Sequence, residues 1–156
     1  MASITGRMVN LMSKYLPALG RMGTARQVTQ FRESKGAKGN ELLGRPVFLL
    51  DVVGRTSGEP RPVMLMLIRR GDDLVVTGSN GGNPETPNWY KNLMAVDRAH
   101  VEVGSDRWAV TARELDDGSE RDECWDLLVA GYPDFASYQE LTDRRLPVAV
   151  LERSAD

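Results

Sequence analysis

From position 46 onward the chain is cut into short apolar runs by glycine-rich turns. Residues 46–53 are rich in β-branched and aromatic side chains, and Gly54-Arg55-Thr56-Ser57-Gly58 turns them. Residues 61–68 form a second run, ended by Gly71-Asp72-Asp73, and residues 74–78 a third. Runs this short, joined by turns this short, leave no room for crossover helices, so each strand has to pair with its neighbour in an antiparallel meander. Residues 101–103 and 108–113 read as a further hairpin turning near Gly104-Ser105-Asp106, and residues 146–151 as the last strand. Helical signals are fewer. Thr86 as N-cap with Pro87 at the first helical position predicts a short helix to about Ala95. Ser119, with Asp122 as a weak capping box, predicts a helix showing Cys124, Leu127, Leu128 and Gly131 on one face and ending or bending at Pro133. A further helical piece is expected over residues 137–144. Strands that outnumber helices and pair locally predict an α+β chain: a small antiparallel β-barrel with helices packed outside.

The segment before the strands differs in charge. The 156 residues carry a formal net charge of −2, but residues 1–38 hold seven cations (Arg7, Lys14, Arg21, Arg26, Arg32, Lys35, Lys38) against Glu33 alone. The arm is therefore +6 and the remaining body −8. Met8, Met12, Tyr15, Leu19 and Met22 recur at helical spacing, with cations largely on the other side, and Pro17 predicts a kink or break. Such a basic amphipathic helix docks on the protein's own core or on an anionic membrane surface. Nucleic acid is the weakest partner, because no aromatic platform or binding motif accompanies the charge. Residues 34–44, with Ser34, Gly36, Gly39 and Gly44, read as a flexible connector, giving an arm over 1–38 and a barrel over 45–153. No apolar run is long enough to span a membrane, and the arm lacks the pattern of a secretory signal. One cysteine, Cys124, permits no internal disulfide, and with one histidine, His100, it cannot build a His/Cys zinc site, so no metal is expected. The expected location is the cytoplasm, with peripheral attachment to the inner face of the membrane if the arm binds lipid.

Four segments have the composition of a binding site. In Gly54–Arg61 the framing glycines, Thr56, Ser57, Arg55 and Arg61 suit an anion such as a phosphate, or are a plain hairpin turn. Ser79-Asn80-Gly81-Gly82 lets a ligand approach the backbone, or is an ordinary loop. Trp89-Tyr90 belongs to the core on composition alone. Tyr132, Phe135 and Tyr138 recur every three residues around Pro133, either lining a pocket for a flat apolar molecule or packing the last strand.

Taken together, these segments resemble the deazaflavin-dependent nitroreductase family, the reductases that use reduced coenzyme F-420 and include its quinone reductases. The resemblance covers residues 46–151 in family order: the Gly-Arg-x-Ser-Gly-x-Pro-Arg turn at Gly54 to Arg61, Ser-x-Gly-Gly at Ser79 to Gly82, and the Pro-x-Trp-Tyr-x-Asn-Leu helix at Pro87 to Leu93. Tyr132-Pro133, Tyr138, Thr142-Asp143-Arg144 and the final Pro147-containing strand follow. It implies a split β-barrel binding coenzyme F-420 and passing a hydride to a planar acceptor, a quinone or a nitroaromatic. Arg55, Thr56, Ser57, Gly58, Arg61, Met64, Asn80, Gly81 and Trp89 would hold the cofactor. Met66 and Phe135 would line the acceptor pocket. Tyr132, Tyr138 and Ser79 would bond the developing oxyanion or supply a proton. The alternatives are an FMN-dependent oxidoreductase on the same barrel, or a non-catalytic cofactor- or lipid-binding protein. Thr56 and Asn80 stand where the family often has lysine, so weaker, salt-sensitive cofactor binding is expected. The resemblance leaves the oligomeric state open.

Overall fold

The computed structural model describes residues 3–15 and 17–155, with side chains over 3–11 and 23–155. Two helices come first, α1 (Ile4–Tyr15) and α2 (Pro17–Glu33). The second starts at the expected proline. Met12, Tyr15, Leu19 and Met22 of the amphipathic pattern lie outside the residues whose side chains are described. The strands β1 (Glu41–Leu42), β2 (Arg45–Asp51), β3 (Val63–Met66), β4 (Arg69–Arg70) and β5 (Asp73–Thr77) lead to α3 (Asn88–Met94). Then come β6 (Ala99–Val103), β7 (Asp106–Glu114), α4 (Ser119–Gly131), α5 (Asp134–Glu140) and β8 (Val148–Arg153).

All pairings are antiparallel, in the order β1-β2-β6-β7-β8-β5-β4, with β3 on β2. The sheet curls back on itself through residues 63–70. Their first half pairs with β2, from Leu50↔Val63 to Val47↔Met66. At Leu67 and Ile68 the partner changes: Leu67 N donates to Pro46 O at 2.9 Å, and Val75 N to Ile68 O at 2.9 Å. The fold is an antiparallel split β-barrel with helices outside it, as the strand pattern predicts.

Each strand face has its own cover. Phe48, Leu50, Val52, Leu74, Val76, Val101, Val110, Ala149 and Leu151 form the interior, closed by Tyr90 and Leu93 of α3. Val47, Leu49 and Met64 face outward under Val28 and Phe31 of α2. Val75, Val148 and Val150 face outward under Cys124 and Leu128 of α4 and Phe135 and Tyr138 of α5. Double cover explains why β2 reads as one continuous apolar run without alternation.

Several expected boundaries shift. Pro87, not Thr86, caps α3: its ψ of 151° is extended and its carbonyl accepts from Tyr90 N and Lys91 N. Gly118, not Ser119, caps α4, because the Asp122 amide bonds the Gly118 carbonyl at 3.1 Å and no side chain caps. The piece expected at 137–144 forms at Asp134–Glu140, because Pro133 provides the cap position. The connector at 34–44 contains β1 and the turn into β2, and is tied down by Gln27 Nε2 to Gly39 O and by the Lys38 amide to Ser34 Oγ. None of the described helices is long and apolar enough to cross a membrane.

Candidate functional site

A cleft of about 1020 Å³ runs along β3, where the barrel is split. Successive β3 side chains turn to opposite sides. Val63 and Leu65 pack toward the barrel interior, and Met64 and Met66 toward the outer helices. Arg61, Asn88 and Trp89 stand at one part of the lining, and Leu128, Tyr132, Phe135 and Tyr138 at another. Ser79, Asn80 and Gly81 border it after β5. The remaining wall is the arm: Thr5, Met8 and Val9 of α1, and Thr24, Ala25 and Val28 of α2.

The structure thus brings Arg61, Met64, Met66, Ser79, Asn80, Gly81, Trp89, Tyr132, Phe135 and Tyr138 to one cleft. Arg55, Thr56, Ser57 and Gly58 are exposed in the turn before it and do not line it. The Arg55 guanidinium folds back on α3, donating from Nη1 to Asn92 Oδ1 at 2.7 Å, while its backbone amide donates to the same oxygen at 3.1 Å. Ser57 Oγ accepts from Arg61 Nη2 at 3.3 Å. The turn therefore fixes Arg61, which has no carboxylate within ion-pair distance among the described residues.

Loop 78–83 is held from two sides. Arg144 donates to the carbonyls of Ser79 (2.8 Å), Asn83 (2.9 Å) and Gly78 (3.1 Å). Asn10 Nδ2 of α1 donates to Gly81 O at 2.7 Å. Gly82, at φ +78°, lies so close to α5 that a Cβ there would sit 2.5 Å from the Tyr138 carbonyl. No larger residue fits that approach. Arg144 enters the sequence pattern only as a motif member, and Asn10 as one polar residue on a helix. Neither shows at sequence level that its side chain is spent on this loop. The α1 and α2 wall is likewise hidden, since an apolar helix face looks the same whether it covers a barrel or lipid.

The aromatic wall is built by α4 ending at Gly131 and α5 starting at Asp134. Tyr132 and Tyr138 share a hydrogen bond of 2.8 Å between their hydroxyls, and Phe135 packs edge-on against Tyr132 with ring centroids 4.9 Å apart. Burial raises both phenol pKa values. Their shared bond opposes that rise at Tyr132 and adds to it at Tyr138. Both stay protonated at neutral pH.

The cleft matches the needs of a flat, anion-tailed cofactor with a planar acceptor. Its size is that of a ligand pocket, most of its lining is apolar, and the Arg61 guanidinium in its lining has no carboxylate partner among the described residues. One lining hydroxyl, Thr77 Oγ1, is buried with no hydrogen-bond partner among the described residues. Residues 24–153 match the family model described as F420H(2)-dependent quinone reductase. The chain belongs to that family. An F420H(2)-dependent quinone reductase of Mycobacterium tuberculosis is 32% identical over 126 residues, covering 79% of this chain and 85% of that protein. The solved structure of an F420-H2 dependent reductase is 39% identical, with a TM-score of 0.64, covering 69% of this chain and 95% of its own. A second solved structure, described as a domain-swapped dimer, is 37% identical with a TM-score of 0.66, covering 82% and 96%. This family member is a deazaflavin-dependent reductase. The FMN reading finds no support in these relatives, and membership of a reductase family replaces the non-catalytic reading.

Proposed function

We propose that the protein carries hydride from F420H2 to a quinone in the cleft beside β3. The observation that carries this reading is the hydrogen-bonded Tyr132–Tyr138 pair in an otherwise apolar wall. The bound deazaflavin supplies the hydride, and the chain supplies position, a dry pocket and a proton. A quinone becomes a quinol by taking two electrons and two protons. A hydride brings both electrons and one proton, so one proton remains to be given. Tyr132 donates it to the developing oxyanion and is reprotonated through Tyr138, to which its hydroxyl is bonded. Ser79 is a second hydroxyl able to bond that oxygen.

The cations belong to the cofactor's anionic part. Arg61 holds it directly, and Arg55, Thr56, Ser57 and Gly58 form the turn that presents Arg61. Met64, Asn80, Gly81 and Trp89 border the ring, and Met66 and Phe135 the acceptor. The arm brings the enzyme to the inner face of an anionic membrane, where a lipid-soluble quinone resides. Support for this comes from the exposed Ile4, Met8 and Leu11 on α1, which carries the exposed Arg7 and belongs to a +6 segment.

The test is a fluorescence titration of the purified protein with reduced deazaflavin, followed by turnover with menadione. Saturable quenching and menadione-dependent oxidation are expected. No saturable binding at low salt would end the reading.

A further inference from the structure

Thr77, the last residue of β5, is 5% exposed and lines the cleft, and its hydroxyl has no hydrogen-bond partner among the described residues. A threonine in a strand needs no hydroxyl for its shape, since valine packs alike, and a buried polar group left unpaired is destabilising. The side chain has a definite direction. Thr77 pairs with Val148, and Val75, two residues earlier, pairs with Val150. Paired residues share a face of an antiparallel sheet, as do residues two apart along a strand. Val75, Val148 and Val150 belong to one packed cluster with Leu128, Tyr132, Phe135 and Tyr138. The Thr77 side chain therefore lies on the phenol side of the sheet, while Val76 faces the barrel interior.

We propose that Thr77 is a recognition residue for the acceptor, its buried hydroxyl turning about χ1 toward the cleft to donate its proton to a carbonyl oxygen of the bound quinone. This rests on the functional reading above and adds to it a polar contact from the sheet, distinct from the two phenols of the helical wall. The ligand class follows from the chemistry: a planar molecule with an exposed carbonyl satisfies the hydroxyl, and a purely apolar one leaves it unpaired. A site built around such a bond discriminates strongly against analogues that lack it. The remaining candidate for the hydroxyl is a trapped water.

The experiment compares wild type, Thr77→Val and Thr77→Ser, with menadione as the acceptor. Wild-type turnover establishes the functional reading. Its absence would overturn that reading and this inference together. Given wild-type turnover, Thr77→Val is expected to raise the menadione KM and lower kcat/KM roughly tenfold. Thr77→Ser should retain most of it. Deazaflavin affinity by fluorescence should be the same in all three, and Thr77→Val should melt no lower than wild type. The stabilisation of the folded chain by menadione, read as a shift in Tm, should shrink in Thr77→Val. A kcat/KM within twofold of wild type in Thr77→Val would overturn the inference and favour the trapped water. Loss of deazaflavin affinity in place of the menadione effect would overturn it in favour of a cofactor contact.

Discussion

At the residue scale the two phenols set the pH behaviour. Their pKa values are raised above the ordinary 10.0, chiefly by burial. A group whose pKa is raised by folding stabilises the folded state below its unfolded pKa and loses that contribution as pH climbs. The phenols therefore cost nothing below about pH 10 and destabilise the fold above it. Tyr90, buried and donating to Glu114 Oε1 at 2.8 Å, acts in the same direction. Urea melts across the alkaline range should show stability falling from about pH 10, and less steeply in the double variant Tyr132→Phe/Tyr138→Phe. Tyr132→Phe alone should lower kcat about a hundredfold with deazaflavin affinity intact, as measured by stopped-flow oxidation and fluorescence titration. A kcat close to wild type would show that the proton comes from elsewhere. The phenols were visible in the sequence because three aromatics at a spacing of three around a proline is an uncommon pattern. Thr77 was not, because a threonine in a β-branched run has the same local signature whether its hydroxyl is wet, bonded or aimed at a ligand.

At the element scale the decisive piece is α2. Phe31 is 1% exposed and, with Val28, covers the outward face of β2 and β3 at Val47, Leu49 and Met64. Phe31→Ala should destabilise the barrel by about 3–5 kcal/mol in denaturant melts, the usual cost of emptying a filled aromatic site. Removal of residues 1–23 leaves that cover in place, so the truncated chain should still melt cooperatively while losing the Met8 and Val9 wall of the cleft. The helix α4 is clamped by charge. Glu120 bonds Arg113 and Arg70, which hold its carboxyl down at about 2 from 4.5. That contribution is present above pH 4.5 and fades as pH falls toward 2, so Glu120→Gln should flatten the acid limb of the stability profile. The strands were readable because turn glycines delimit them. The caps at Pro87 and Gly118 were displaced by one residue, because Thr86 and Ser119 have the right chemistry but their neighbours accept the first helical hydrogen bonds. The run over residues 61–68 looked like one strand because nothing in its composition marks the change of partner after Leu67.

At the scale of the molecule, the contrast between a +6 arm and a −8 body reorganises around the cleft. The arm is not a free tether. Ser3 Oγ donates to Asp134, Asn10 to the Gly81 carbonyl, and Arg32 to Asp51 at 3.0 Å and Glu102 at 3.3 Å. Among the described cations of the arm, Arg32 is thus ion-paired to the barrel, while Arg7, Arg26, Lys35 and Lys38 are exposed. On α1, Ile4 is 87% and Leu11 57% exposed, although other residues of the same helix wall the cleft. If the proposed membrane role holds, a helix that covers a pocket with one side and shows apolar residues to solvent on another would sit between the cleft and lipid. Basic residues near an anionic surface add roughly 1 kcal/mol each, screened by salt. Co-sedimentation with vesicles rich in phosphatidylserine is therefore expected at low salt and should decline as salt rises. The double variant Ile4→Ser/Leu11→Ser should bind such vesicles several-fold more weakly, because both side chains lose the apolar burial that holds an interfacial helix. Neither residue lines the cleft, so turnover of menadione in solution should be unchanged, while turnover of a long-chain quinone held in the vesicles should fall. Equal sedimentation of the variant and wild type would separate the arm from the membrane and leave it the role of a cleft wall alone.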